Sequence, residues 1–146
     1  MNAEGFTTEG LALAATIILL FPMLYFLFVS LTFFLRPLAD PVVGRMLRGL
    51  FSAYLLAVAA CGGVAILAFL GAHQPRMAAL LSLLAAGAVA ARAWSLPRLD
   101  TLFRARDAGV PQAIPGLRRL HLAGMAYNAI QIAIVLACIP LAFPMR

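Results

Sequence analysis

The chain has 146 residues, of which 64% are hydrophobic and only 11% are charged. Soluble domains are typically about 45–50% apolar and about 25% charged, so this composition excludes a soluble globular protein of this length. The net charge of +6 comes from eleven arginines that stand mainly at the ends of apolar runs, where they set membrane topology. The composition therefore predicts an integral membrane protein with no nucleic-acid partner.

The first apolar run predicts a transmembrane span at about 11–35. Its length exceeds the roughly 20 residues that an α-helix needs to cross the hydrocarbon layer. Pro22 lies near the middle and predicts a kink, because it cannot donate to the carbonyl of Ile18. The preceding residues include Glu4 and Glu9 and no basic residue, unlike a cleavable signal peptide, so we expect the N-terminus to be retained.

Two further spans are predicted at about 49–70 and 77–96, after a loop at 36–48. The turn between them is tight, so we expect antiparallel neighbours. Both spans repeat small residues at every fourth position, and rows of small side chains let membrane helices approach closely. The predicted packing residues are Gly49, Ala53, Ala57 and Cys61 in the second span, where the row continues to Ala65, and Ala78, Ser82, Ala86 and Ala90 in the third.

A second loop is predicted at 97–117, on the same membrane side as the first. Within it, residues 99–106 place apolar side chains on one side and Asp100 opposite Arg104 at i+4. This pattern indicates a short amphipathic helix lying on the membrane surface. Prolines and glycines then form a broken connector into the last span.

The fourth span, at about 118–139, carries a polar stripe of His121, Asn128 and Gln131. On an α-helix these three side chains fall within roughly 80° of one another. Hydrocarbon penalises exposed amides and imidazoles, so we expect this side to face protein. The fold class is therefore all-α, a polytopic four-transmembrane-helix bundle organised around the stripe.

His121 is the candidate cofactor-binding residue. It could ligate haem or a metal, or accept a proton near physiological pH. The alternative is an interfacial histidine that hydrogen-bonds a backbone carbonyl or the loop. A bis-histidine haem site needs a second imidazole at the same depth, and His73 belongs to the opposite membrane face. A histidine-plus-methionine site or a site shared by two subunits stays open, and no metal site is predicted.

Asn128 and Gln131 are expected near the bilayer midplane. Amides there usually hydrogen-bond across helices, and a polar ligand pocket is the alternative. No acidic residue lies inside any predicted span, which weighs against a proton-coupled or cation-coupled pump. No phosphate-binding loop or catalytic motif occurs either. The expected partners on other spans are Thr16, Tyr25, Ser52, Tyr54 and Ser82.

The arginines predict the orientation. Nine stand in or beside the two loops that follow the first and third spans, and two stand on the opposite side. Positive loops stay in the cytoplasm, so both termini are expected outside it, in the periplasm of a bacterium. The use of arginine without lysine resembles a bacterium with a GC-rich genome. The arginines expected to attract anionic lipid headgroups are Arg45, Arg48, Arg98, Arg104, Arg118 and Arg119.

The chain resembles the "transmembrane protein 205-like" family of small four-helix membrane proteins. The matching parts are the sequence GRMLRGLF at the start of the second span, Leu96–Pro97–Arg98, and RRLH (118–121) followed by Asn128. Gly124 and Met125 stand where the family pattern leads us to expect small or hydroxyl residues, and together they are a mild departure from it. The resemblance implies the same fold and topology, and it implies no established activity.

The favoured functional hypothesis is a non-catalytic inner-membrane protein, an accessory or assembly subunit that works through helix contacts. Its expected partners are membrane lipids and either other subunits or further copies of the chain, with no cofactor. One alternative is a haem-, quinone- or metal-using redox protein centred on His121. Another is a small-molecule channel or efflux component.

Overall fold

The computed structural model describes residues 3–143, with side chains from residue 8 onward, and this part of the chain contains four α-helices and no strand. All four helices are long and apolar enough to cross a membrane, which confirms the predicted all-α class and the number of spans. Their bounds are Ala3–Thr32 (α1), Pro41–Gly71 (α2), Pro75–Asp107 (α3) and Ala113–Ala142 (α4).

The helices stand at the corners of a square. Each helix packs against its neighbours in the chain and α4 also packs against α1, whereas α1/α3 and α2/α4 face each other across the diagonals. The most extensive contact joins α2 and α3, as the tight turn between them predicts. Buried apolar side chains from all four helices fill the centre.

A hydrogen bond joins a connecting segment to a helix at each end of the bundle. At the arginine end, defined by the connections 33–40 and 108–112, the Nη1 of Arg106 donates to the carbonyl of Leu38 at 3.2 Å. At the terminal end, defined by the turn 72–74 and the end of α4, the Nε2 of Gln74 donates to the carbonyl of Ala142 at 3.1 Å. The first bond ties the connection 33–40 to α3, and the second ties the turn 72–74 to α4.

The first connection is shorter than the predicted loop at 36–48. Helix α2 already begins at Pro41, because Asp40 caps it: the Val42 N–H donates to the Asp40 carboxylate at 2.7 Å. An aspartate cap followed by proline at the first helical position favours a helix start. The predicted end of the first span at residue 35 is also late, since α1 ends at Thr32.

The predicted surface helix at 99–106 is wrong as a separate element. Helix α3 continues without a break through Pro97. Leu99 is completely buried, and the Phe103 ring lies against Gly44 of α2. The apolar side of this segment therefore faces the bundle, and this packing offsets the backbone hydrogen bond that Pro97 cannot make.

The expected pairing of Asp100 with Arg104 is also replaced by a contact between helices. Asp100 accepts two hydrogen bonds from Arg48 of α2, at 2.5 Å from Nε and 3.0 Å from Nη2. Arg104 reaches only the backbone carbonyl of Asp100, at 3.3 Å. Arg48, which was predicted to attract lipid headgroups, is therefore paired with a carboxylate and remains partly exposed.

The small-residue rows do not form the α2–α3 contact as expected. Members of an i+4 row rotate by about 40° per step around a helix, so the row winds out of a contact within a few turns. The two helices come close together at Gly62, where an added Cβ would lie 3.1 Å from that of Ala85. In the rows, Ala65 and Ala78 are buried, Ala57 and Cys61 are half-buried, and Gly49, Ala53, Ser82, Ala86 and Ala90 are exposed.

Candidate functional site

The polar stripe of α4 is enclosed by the bundle. His121, Asn128 and Gln131 are only 2%, 0% and 1% exposed. The side of α4 that carries them therefore faces protein, as its polarity predicts. What each residue contacts then decides whether the stripe holds helices together or binds a ligand.

Gln131 links α4 to α2 across the diagonal of the bundle. Its Oε1 accepts a hydrogen bond of 2.5 Å from the hydroxyl of Tyr54, and its Nε2 donates to the hydroxyl of Tyr127 at 3.0 Å. The Tyr54 ring stacks on Phe26 of α1 with the ring centroids 4.1 Å apart. The amide is therefore bonded on both sides and acts as a structural link between helices.

Asn128 links α4 to α1. Its Nδ2 donates to the backbone carbonyl of Met23 at 2.9 Å. A carbonyl oxygen has two lone pairs, so Met23 can accept this bond in addition to one within its own helix. The Oδ1 of Asn128 is buried and has no partner among the described residues.

Only one of the five partners expected for these amides is used. The other four side chains are engaged or directed elsewhere: Thr16 and Ser82 donate to carbonyls of their own helices, Ser52 accepts from Arg92, and Tyr25 is exposed. Tyr127 was missed, although its i−4 spacing from Gln131 was a usable signal. The carbonyl of Met23 was missed because sequence patterns do not show which backbone carbonyls a side chain can reach.

His121 lies among aromatic rings near the arginine end. The ring centroids of Phe34, Phe33 and Phe51 are 5.5, 5.8 and 6.3 Å from that of the imidazole. Its Nε2 is buried and has no hydrogen-bond partner in the described part of the chain. The backbone carbonyl offered as an alternative partner for this histidine is not found at Nε2.

A cavity of about 240 Å³ lies beside this imidazole. Its walls are mainly apolar, from Phe33, Phe34, Leu38 and Leu122, with Arg118 at the edge. An imidazole nitrogen there could hydrogen-bond a ligand, coordinate a metal or accept a proton. His73 lies in the turn at the terminal end, so one chain does not bring its two histidines together.

The arginines predicted to meet lipid headgroups lie in varied surroundings. Arg45, Arg98, Arg104, Arg118 and Arg119 are exposed at the arginine end. The guanidinium of Arg98 also stacks on the Trp94 ring, 3.8 Å from its centroid. A stacked cation of this kind keeps its charge available at the surface while its side chain is held in place.

Arg92, one of the nine arginines that predict the orientation, lies in the α2–α3 contact. Its Nη2 donates to the hydroxyl of Ser52 at 3.2 Å, whereas its Nε is buried without a partner among the described residues. An arginine inside a helix pair is costly unless its donors are satisfied. Arg92 is therefore a polar feature of the bundle that spacing alone did not reveal.

Comparisons of this chain with models of protein families, with curated proteins and with solved structures give no match. The four-helix architecture therefore rests on the structure itself. Membership of the transmembrane protein 205-like family stays a prediction based on short motifs.

Proposed function

We propose that this protein is a non-catalytic integral membrane protein, an accessory or assembly subunit of a larger complex that works through helix–helix contacts. The observation that carries the proposal is the difference between two outer surfaces of the bundle. Helix α1 exposes bulky side chains, including Ile18, Phe21 and Phe28. Helix α3 exposes a surface of mostly small residues, the α3 face, defined as Ala79, Ser82, Ala86, Ala90 and Ala93.

The two surfaces suit different neighbours. Bulky apolar side chains are well suited to contact with lipid chains. Small side chains allow the backbone of a second helix to approach closely, and van der Waals packing of this kind drives association where no hydrophobic force acts between helices. The α3 face is therefore the surface on which we expect a partner subunit or another copy to dock.

The polar stripe supports a structural role for the interior. The amide of Gln131 is bonded on both sides, and Asn128 is tied to α1. Side chains engaged in this way fix the positions of the helices and leave the outer surface to make contacts.

We assign the protein to a bacterial inner membrane with both termini in the periplasm. The support is the arginine distribution along the sequence, in which nine arginines stand in or beside the two predicted loops that follow the first and third spans, and Arg76 and Arg146 do not. Distant membership of the transmembrane protein 205-like family agrees with this orientation and is part of the proposal.

A substitution on the α3 face tests the role in assembly. Ala86→Phe adds bulk where a partner helix should approach, so it should abolish association in native membranes or mild detergent. Leu24→Phe is the matched control, because Leu24 is 40% exposed on α1 and should tolerate the added bulk. Association is measured by native gel and light scattering. A wild-type protein that is a lone monomer and retains no partner would contradict the proposal.

A second candidate is a haem-, quinone- or metal-using membrane redox protein. The observation that favours it is the buried, unpartnered Nε2 of His121 beside its cavity. An absorption spectrum and metal analysis of protein purified from its native membrane test this. A Soret band or bound metal that is lost in His121→Ala, and kept in His73→Ala, would support it. Their absence from the wild type would remove the haem and metal versions.

A further inference from the structure

A groove between α3 and α4 opens at the arginine end. Its outer part is a cavity of about 470 Å³ that includes Arg98, Thr101 and Arg119. Its inner part, of about 220 Å³, lies between α2, α3 and α4 and includes Ser95 and Tyr127. We call these two parts together the α3–α4 groove. The outer volume alone lies within the range of roughly 300–1,000 Å³ that is typical of small-molecule sites.

The two parts adjoin each other. Trp94, Leu120 and Ala123 line both of them, so the groove continues from the bundle surface into its interior. Small residues of α4 line both parts of the groove, with Gly116 in the outer part, Gly124 in the inner part and Ala123 in both. The groove is therefore a built feature of the α3–α4 packing.

The chemistry of the groove changes along its length. At the mouth, Arg98 and Arg119 are exposed, and neither forms an ion pair with a described residue. Further in, the walls are almost wholly apolar, with Trp94 at the transition. This order of positive charge, indole and hydrocarbon matches the order of phosphate, interfacial region and acyl chain in a phospholipid.

Ser95 supplies a polar group inside the groove. It is only 4% exposed, and its hydroxyl has no partner among the described residues. The hydroxyls of Thr16, Ser82 and Thr101 each donate to a carbonyl four residues earlier in their own helices, at 2.8–2.9 Å. Ser95 makes no such bond with a described residue, and it lines the inner cavity, so a group that enters this cavity could supply the missing partner. The carbonyl oxygen of an ester is an acceptor for a hydrogen bond from the Ser95 hydroxyl.

We propose that the α3–α4 groove binds one anionic phospholipid. Its phosphate lies between Arg98 and Arg119, and one acyl chain passes Trp94 into the inner cavity toward Ser95. Basic pockets between membrane helices are suited to anionic headgroups. The charge at the mouth favours a lipid over an uncharged helix from another protein. This site is independent of the α3 face and of His121.

Binding of defined lipids to the purified, delipidated protein tests the site. The probes are phosphatidylglycerol and phosphatidylcholine with identical acyl chains, followed by native mass spectrometry. We expect one phosphatidylglycerol to bind at least roughly tenfold more tightly than phosphatidylcholine, because each arginine near the surface contributes substantially to headgroup attraction. Equal affinity for the two lipids would overturn the proposal. Competition by inorganic phosphate at equal concentration would overturn the requirement for the acyl chain.

Charge variants locate the headgroup. Arg98→Gln with Arg119→Gln should weaken phosphatidylglycerol binding by roughly tenfold to thirtyfold. The matched control is Arg36→Gln with Arg76→Gln, which removes the same charge from exposed positions outside the α3–α4 groove. An equal loss in both pairs would show that only overall charge matters and would overturn the site. Arg98→Lys with Arg119→Lys keeps the charge, so retained binding separates headgroup attraction from misfolding.

A second pair of variants locates the acyl chain. Ala123→Leu narrows the passage shared by both cavities and should reduce binding at least roughly tenfold, with thermal stability in detergent unchanged. Ala126→Leu adds the same volume at an exposed position of α4 and should have no effect. Full binding by Ala123→Leu would overturn the proposed path of the acyl chain.

Discussion

The hydroxyl of Tyr54 on α2 donates a hydrogen bond to the Oε1 of Gln131 on α4, across the diagonal of the square bundle. These two helices make no close backbone contact in the described part of the chain, so their side chains provide the connection. The same glutamine binds Tyr127, and Asn128 ties α4 to α1. Helix α4 is therefore positioned by hydrogen bonds as well as by apolar packing.

Removing the hydrogen bond between Tyr54 and Gln131 should lower the stability of the protein measurably. Tyr54→Phe leaves the Oε1 of Gln131 without a donor, so we expect a loss of about 0.6–2 kcal/mol in the free energy of unfolding. Tyr25→Phe is the control, because Tyr25 is exposed on α1. The readout is thermal or denaturant unfolding in detergent. Tyr54→Phe combined with Gln131→Leu should cost less than the sum of the single changes; strict additivity would show that the bond does not contribute.

Gly124 should not tolerate a side chain. A Cβ there would lie 2.5 Å from the Phe51 Cζ, and that ring is confined by an edge contact with Phe26. Gly124→Ala should therefore destabilise the protein by about 1–3 kcal/mol through overpacking. Gly63→Ala is the matched control, since an added Cβ meets nothing within 4 Å and alanine favours a helix.

A compensating change separates this clash from other effects of Gly124→Ala. Phe51→Leu removes the ring that the new methyl group would meet, so the double variant should recover part of the stability lost in Gly124→Ala. The measurement is again unfolding in detergent. A double variant that is less stable than the sum of the two single changes predicts would show that the Phe51 ring is not the obstacle.

Replacing Pro97 tests whether α3 is one continuous helix through this position. Because Pro97 lies inside the helix, Pro97→Ala restores a backbone donor and should raise stability by about 1–3 kcal/mol. Pro115 is the third residue of α4, where a backbone N–H has no partner within the helix, so Pro115→Ala should change stability by less than about 0.5 kcal/mol. No gain from Pro97→Ala would favour the separate surface helix that the sequence predicted.

The proposed orientation can be measured by cysteine labelling. With Cys61 and Cys138 replaced by alanine, Gly71→Cys marks the terminal end and Val110→Cys marks the arginine end. A membrane-impermeant maleimide added to intact cells should label Gly71→Cys and leave Val110→Cys unlabelled until the membrane is opened. Both positions are exposed, so accessibility within the bundle does not limit the reaction. The reverse pattern would contradict the orientation drawn from the arginines.

The number and type of the helices could be predicted from the sequence. Length and hydropathy are local properties, and they were sufficient to identify four helices that can cross a membrane. The burial of His121, Asn128 and Gln131 also followed from sequence, because an amide or imidazole in hydrocarbon is penalised wherever it lies. Each of these conclusions depends only on a residue and its neighbours along the chain.

How the helices meet could not be predicted from the sequence, because it depends on tertiary packing. The pairing of Asp100 with Arg48 joins residues 52 positions apart, and the continuity of α3 through Pro97 depends on packing against other helices. The rows of small residues were visible in the sequence. Which neighbouring helix or surface they face, however, depends on the rotation of each helix about its axis. That rotation is set by all neighbouring helices together, through contacts such as the one between Gly124 and Phe51. Local periodicity places residues on one side of a helix, and only the packed bundle determines what that side contacts.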